Sequence, residues 1–401
     1  MRDGRLFLIL AIFTLPFILF AMASGSLSDR YSKGRVITWT KILELGIMVL
    51  GTFALASQSF TFMLVVIFLM SVQSTVFSPA KYCSLPELLP DWRLSWGNGL
   101  IGLGTFFAII AGGVLAGLVS EALADTEVWK AGILVVVLAM VGLVTSLGIP
   151  RIPAANPGKR IPVNFLADLG GYLKVIRGNR VLALAIAGSV YFWLIAALFD
   201  PTLIVYGQDI LGLDDAKNSL LRAFLAIGIG AGSALAGFLS GRKIEYGLVP
   251  LGAMGLAIGA SLLALPGITF GSACVLLSLV GIAGGFFIVP VNALIQHLPD
   301  RKEKGSVMAA NGWLNSFGAF LAALLFFVLK RTIGVEANVI LLMMGVATVA
   351  ATIYAVRLVP DSLARLLLWT LTNTLYRVRV LGRANSPETG GALRVSTQMT
   401  M

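Results

Sequence analysis

Apolar runs of about 20 residues alternate with short polar segments along most of the chain. Runs at about 6–24, 37–57, 60–80, 100–120 and 129–149 are each long enough to span a hydrocarbon layer, which takes roughly 20 apolar residues in a helix. A connector of about 30 residues follows, carrying "RIPAANPGKRIPVN" and six Lys or Arg. Six more runs lie at about 181–203, 219–240, 249–267, 272–296, 307–329 and 336–357. The pattern predicts an all-α membrane protein with eleven spans, divided five and six.

Internal repetition relates the two groups. The frame Gly-x-Leu-Ser-x-Arg in "SGSLSDRYSKGR" returns in "AGFLSGRK", and Gly25 recurs as Gly237, a separation of 212 residues (237 − 25). Pro79 matches Pro290 at a separation of 211, and Asn98-Gly99 matches Asn311-Gly312 at 213. Two parallel halves of this kind are a mark of transporter architecture. Shifting the span that starts near Val181 back by 212 places its partner upstream of Met1. The expectation is therefore two pseudo-symmetric helical bundles with eleven spans of twelve, the first helix missing. The boundaries are 1–150 for the first half, 151–180 for the basic connector, 181–358 for the six-helix half and 359–401 for a tail. Arg2, Arg5, the apolar run 6–20 and "AMAS" also have the layout of a secretory signal peptide. Cleavage after Ala23 would strip the 24–35 segment of the helix that its counterpart at Gly237 retains.

Composition sharpens this picture. Hydrophobic residues make up 58% and charged residues 12%, with mean hydropathy +0.92, whereas soluble domains carry about 25% charge. The net charge of +11 is spread over short loops, every second one basic, which is the positive-inside signature rather than a nucleic-acid footprint. Cys83, Cys274 and His297 are too few for a zinc site. No cofactor or metal is expected, and with no Gly-x-x-x-x-Gly-Lys-Ser/Thr loop direct ATP drive is not expected either.

Ionisable and polar residues inside spans are candidates for function. Lys41 and Glu44 share a helix face. Ser71, Gln73, Ser74 and Thr75 lie midway along a span, the depth at which transporters hold substrate. Lys81 follows Pro79 near an inner end, placed to snorkel toward the interface. Asp200 and Arg222 lie near outer helix ends and are expected to pair as an outer gate. Asn292 and Asn311 complete the list of substrate or gate candidates. Gly25, Asp29, Arg30, Lys33 and Arg35, with Gly237 and Arg242 in the repeat, form a conformational motif at the inner mouth.

The stretch "GSLSDRYSKGR" resembles the Gly-x-Leu-Ala-Asp-Arg loop of the major facilitator superfamily. "TKILELGIMVL", "FSPAKYCSLPELL" and "GGFFIVPVNALIQHLPDRKEKGSVMAANGWLN" are similar to segments of the bacterial lysophospholipid transporters within it. That resemblance implies no enzymatic activity but flipping of lysophospholipids, especially lysophosphatidylethanolamine, across the bacterial inner membrane, with the C-terminus cytoplasmic. The segment from Pro360 resembles the join to a fused lysophospholipid acyltransferase. Gln398 stands near where that family's His is expected, so the resemblance implies an acyltransferase partner rather than that activity here. Residues 362–378 then read as an amphipathic interfacial helix. An exporter of drugs or other small amphiphiles, a membrane partner of an acyltransferase and an inactive fragment share these features.

Overall fold

The computed structural model describes residues 2–123, 129–150, 152–159, 165–241 and 244–358. Its helices are α1 (Arg2–Arg30), α2 (Lys33–Ser57), α3 (Phe60–Leu88), α4 (Leu94–Ala122), α5 (Trp129–Ser146), α6 (Phe165–Gly178), α7 (Arg180–Val205), α8 (Asp215–Leu239), α9 (Leu248–Leu263), α10 (Phe270–His297), α11 (Lys304–Phe327) and α12 (Ala337–Leu358). Among the described residues ten helices are long and apolar enough to cross a membrane, and α9 is a shorter apolar helix of 16 residues. Together they make the predicted five and six. Arg242 and the tail from residue 359, including the expected interfacial helix, lie outside the described residues.

Local chemistry sets the helix starts. The side chains of Ser59, Asn179 and Asp214 accept from the backbone of Phe62, Leu182 and Lys217, and Thr269 with Ser272 closes a capping box. The polar segment 24–35 departs from the expected loop. It is helical except at Tyr31 and Ser32, with Ser24, Ser26, Ser28, Asp29 and Lys33 all buried. Polarity there marks a protein-facing contact beyond the apolar core, so α1 and α2 run on past the hydrocarbon span. The connector also holds α6, whose apolar Phe165, Leu169, Leu173 and Ile176 recur at helical spacing.

Packing repeats between the halves. In the first, α1 packs on α3, α2 on α3 and α2 on α5; in the second, α8 packs on α10, α9 on α10 and α9 on α12. A shift of 212 residues carries each first-half helix onto its counterpart. The two most extensive crossings between the halves are α1 with α11 and α4 with α8. Each crosses at a glycine. A Cβ on Gly25 would lie 2.5 Å from the Ala309 Cβ, and one on Gly237 would lie 3.1 Å from the Ser95 carbonyl oxygen. Close backbone approach of this kind is how helices associate where lipid is the solvent.

Candidate functional site

A polar group lies between α2 and α3, deep in the first half. The Lys41 ammonium donates to Glu44 Oε2 at 2.8 Å, and the Gln73 amide donates to the same oxygen at 2.9 Å and to the Thr40 carbonyl at 3.2 Å. Ser74 donates to Gln73 Oε1 at 3.3 Å. Gln73 is buried, while Lys41 and Glu44 keep about a fifth of their side-chain surface open (20% and 18%). Lys41 Nζ stands 4.9 Å from the Phe77 ring centroid. Lys81 Nζ stands 5.8 Å from the same ring and 4.8 Å from that of Tyr82. Lys81 thus faces aromatic rings rather than a carboxylate among the described residues. The arrangement offers two ammonium groups and one carboxylate around an aromatic floor, and it can bind a group carrying both signs of charge.

A second group closes one end of the bundle, the end where the basic loops gather. Asp29, near the end of α1, is fully buried. It accepts from the Gly305 and Ser306 backbone N–H groups at 2.7 and 3.1 Å and from the Ser306 hydroxyl at 3.1 Å. These amides open α11, where Glu303 makes no side-chain cap, so Asp29 caps the helix from the other half and meets the positive end of its dipole. Lys159 of the connector donates to Asp29 Oδ2 at 2.8 Å and to the Ser306 hydroxyl at 2.7 Å, and the Asn156 N–H donates to the Asp29 carbonyl at 2.8 Å. Burial disfavours the Lys159 charge, but its hydrogen bond to Asp29 and the carboxylate's charge outweigh this, and its pKa is held above the ordinary lysine value.

Further bonds gather at the same end. Asn98 of α4 and Gln296 of α10 exchange side-chain hydrogen bonds at 2.8 and 2.9 Å, both buried. Lys33 is buried against Glu87, whose other oxygen lies 3.9 Å from Arg301 of the second half. Asp91 and His297 approach to 3.4 Å. Arg30 lies over the Tyr31 ring and Arg35 is exposed.

The remaining candidates lie apart. Asp200 and Arg222 pair through two bonds of 2.9 and 3.1 Å, but both belong to the second half, so the pair ties α7 to α8. Asn311 is buried in α11 and Asn292 is partly buried on α10, one turn from Gln296. Sequence reasoning passed over Lys159, Ser306, Glu87, Asn98 and Gln296 as site residues. Asn98 carried a signal in its place in the repeat, and Glu87, Gln296 and Ser306 lay within the segments that carry the family resemblance. Cys83 and Cys274 are buried free thiols. Among the described residues no group of three or more His, Cys, Asp or Glu could hold a metal ion.

The family model of the Major Facilitator Superfamily matches residues 6–323. The chain belongs to the Major Facilitator Superfamily. It is a transporter rather than an enzyme. Within the superfamily it is similar to the lysophospholipid transporter LplT of Pectobacterium carotovorum subsp. carotovorum (strain PC1), 30% identical over 331 residues, which cover 81% of this chain and 77% of that one. LplT of Citrobacter koseri (strain ATCC BAA-895 / CDC 4225-83 / SGSC4696) is 33% identical over 316 residues, covering 75% and 72%. Among solved structures, the human organic anion transporter MFSD10 (TETRAN) aligns with TM-score 0.72 at 15% identity, covering 87% of this chain and 83% of that one. The transporter FucP in the outward conformation aligns with TM-score 0.68 at 14% identity, covering 89% and 90%. These two likenesses concern the superfamily fold.

Proposed function

We propose that this chain flips lysophospholipids, lysophosphatidylethanolamine in particular, across the bacterial inner membrane by alternating access. The observation that carries the reading is the group of Lys41, Glu44, Gln73, Ser74 and Lys81 on α2 and α3, which sets both signs of charge within membrane-spanning helices, where isolated charge is costly. A phosphate between Lys41 and Lys81, with the ethanolamine ammonium toward Glu44, would satisfy all three charged groups. The likeness to transporters named for lysophospholipids supports the same class.

By the positive-inside rule the basic end is cytoplasmic, as is the C-terminus. The bonds around Asp29, Asn98 and Glu87 then hold the form closed to the cytoplasm and receptive to the outer leaflet. Residues 1–150 and 181–358 move as the two halves, with 151–180 as the tether. Asp200 with Arg222 braces the outer end. An acyltransferase that reacylates the delivered lipid is its proposed partner. Uptake into spheroplasts of lysophosphatidylethanolamine labelled in its head group tests the assignment. Competition by unlabelled lysophosphatidylethanolamine, with none by a panel of amphiphilic drugs, is the expected result. Competition by the drugs alone would overturn it in favour of a drug exporter.

A further inference from the structure

A cavity sits apart from the polar group, and every residue lining it belongs to the second half. It encloses about 80 Å³ among α7, α8, α9, α10 and α12. Phe192, Phe199, Leu225, Leu256, Phe287 and Met344 supply much of its wall, with Phe192 and Phe287 stacked at 5.9 Å. Its polar members are already occupied. The Tyr191 and Thr348 hydroxyls meet at 2.7 Å, Thr348 also donates to the Met344 carbonyl at 2.7 Å, and Asp200 is held by Arg222. The cavity therefore presents hydrocarbon and no unmet hydrogen bond, the kind of space that stays dry and takes an apolar guest.

Its floor contains a glycine that backbone packing does not demand. A Cβ on Gly281 would collide with the Leu225 carbonyl, and one on Gly285 with the Ser233 backbone nitrogen. On Gly284 a Cβ would meet only side chains, at ordinary contact distances of 3.5 Å from Phe192 and 3.8 Å from Leu256. The absence of a side chain at 284 keeps the cavity open.

We infer that this cavity receives the end of the substrate's single acyl chain, while the head group lies in the first half at Lys41 and Lys81. The inference rests on the lysophospholipid reading and adds to it a tail site, with one slot for one chain. A diacyl lipid has no place for its second chain.

The test uses the full chain purified in nanodiscs and a lysophosphatidylethanolamine with an 18-carbon acyl chain ending in a diazirine. Illumination should label peptides containing Phe192, Leu256 or Phe287, and unlabelled lysophosphatidylethanolamine should suppress the label. Gly284→Leu fills the space, and Met344→Trp does so from the opposite wall in case the first variant fails to fold. Burial is worth roughly fourfold in affinity per methylene, so either variant should weaken competition by the 18-carbon lipid at least tenfold. An eight-carbon lysophosphatidylethanolamine should change less than twofold. Label elsewhere that lysophosphatidylethanolamine still suppresses would overturn the tail site and leave the lysophospholipid reading standing. Equal suppression by diacyl phosphatidylethanolamine would reduce the cavity to a bilayer-lipid niche and overturn the inference. Failure of any lysophosphatidylethanolamine to suppress label would remove the reading and the tail site together.

Discussion

Replacing Asp29 by Asn preserves side-chain shape but removes the charge around which Lys159 and the start of α11 are arranged. A carboxylate at a partly buried helix N-terminus is worth up to about 2 kcal/mol, so the closed form should lose roughly thirtyfold in population. Hydrogen exchange reads this at its source: the Gly305 and Ser306 amides should exchange at least tenfold faster in Asp29→Asn, and unchanged exchange would show that the contact holds nothing. Lys159 sets the sign of the pH dependence. Its pKa is raised on folding, so its contribution is complete below the ordinary lysine value and is lost as pH rises through the raised one. The thermal stability advantage of the parent over Lys159→Met should therefore stay constant from about pH 6 to 9 and shrink only above about 10.4. Lys81 carries a different prediction. Lys81→Ala should cut lysophospholipid uptake at least tenfold with membrane expression unchanged, and Lys81→Arg should retain part of it. These in-span residues could be singled out from their charge in apolar surroundings. Lys159, Ser306 and Gln296 could not, because a lysine or serine in a polar segment looks solvated until its partner 130 or 147 residues away is brought to it.

Helix crossings carry the next level of the account. Gly25 and Gly237 set the α1 with α11 and α4 with α8 contacts, and at Gly25 the obstruction is the α11 backbone itself as well as Ala309. Gly25→Val should separate α1 from α11, lower thermal stability by several degrees and speed exchange across the first turns of α11, whereas Gly104→Val, where a Cβ meets open space, should do neither. Helix positions follow from apolar run length and helix starts from the caps at Ser59, Asn179, Asp214 and Thr269. Their ends were harder to place, because Ser24 to Asp29 read as a solvent loop when taken alone and as a buried face once α11 is present. Connector helix α6 was missed for a related reason: its six flanking and internal basic residues dominate the composition and mask the spacing of Leu169, Leu173 and Ile176.

Across the bundle, the 212-residue shift made the twofold arrangement readable before any coordinate, since glycines, prolines and the Asn-Gly pairs mark equivalent helix contacts. The differences between the halves were not readable. Asp29 maps onto Gly241, which has a left-handed backbone (φ +56) and no carboxylate, so position 241 has no side chain to repeat the capping contact. Charge collects in the first half at Lys41, Glu44 and Lys81, and an apolar cavity opens in the second, a division suited to a substrate with a zwitterionic head and one hydrocarbon tail. Transport itself is the deciding measurement: the full chain purified into liposomes, with flipping of head-group-labelled lysophosphatidylethanolamine followed by its removal from the added leaflet. The account predicts flipping that saturates with lysophosphatidylethanolamine, excludes diacyl phosphatidylethanolamine and falls at least tenfold in Lys81→Ala. Flipping equal to protein-free liposomes, from a correctly folded and inserted chain, would contradict it.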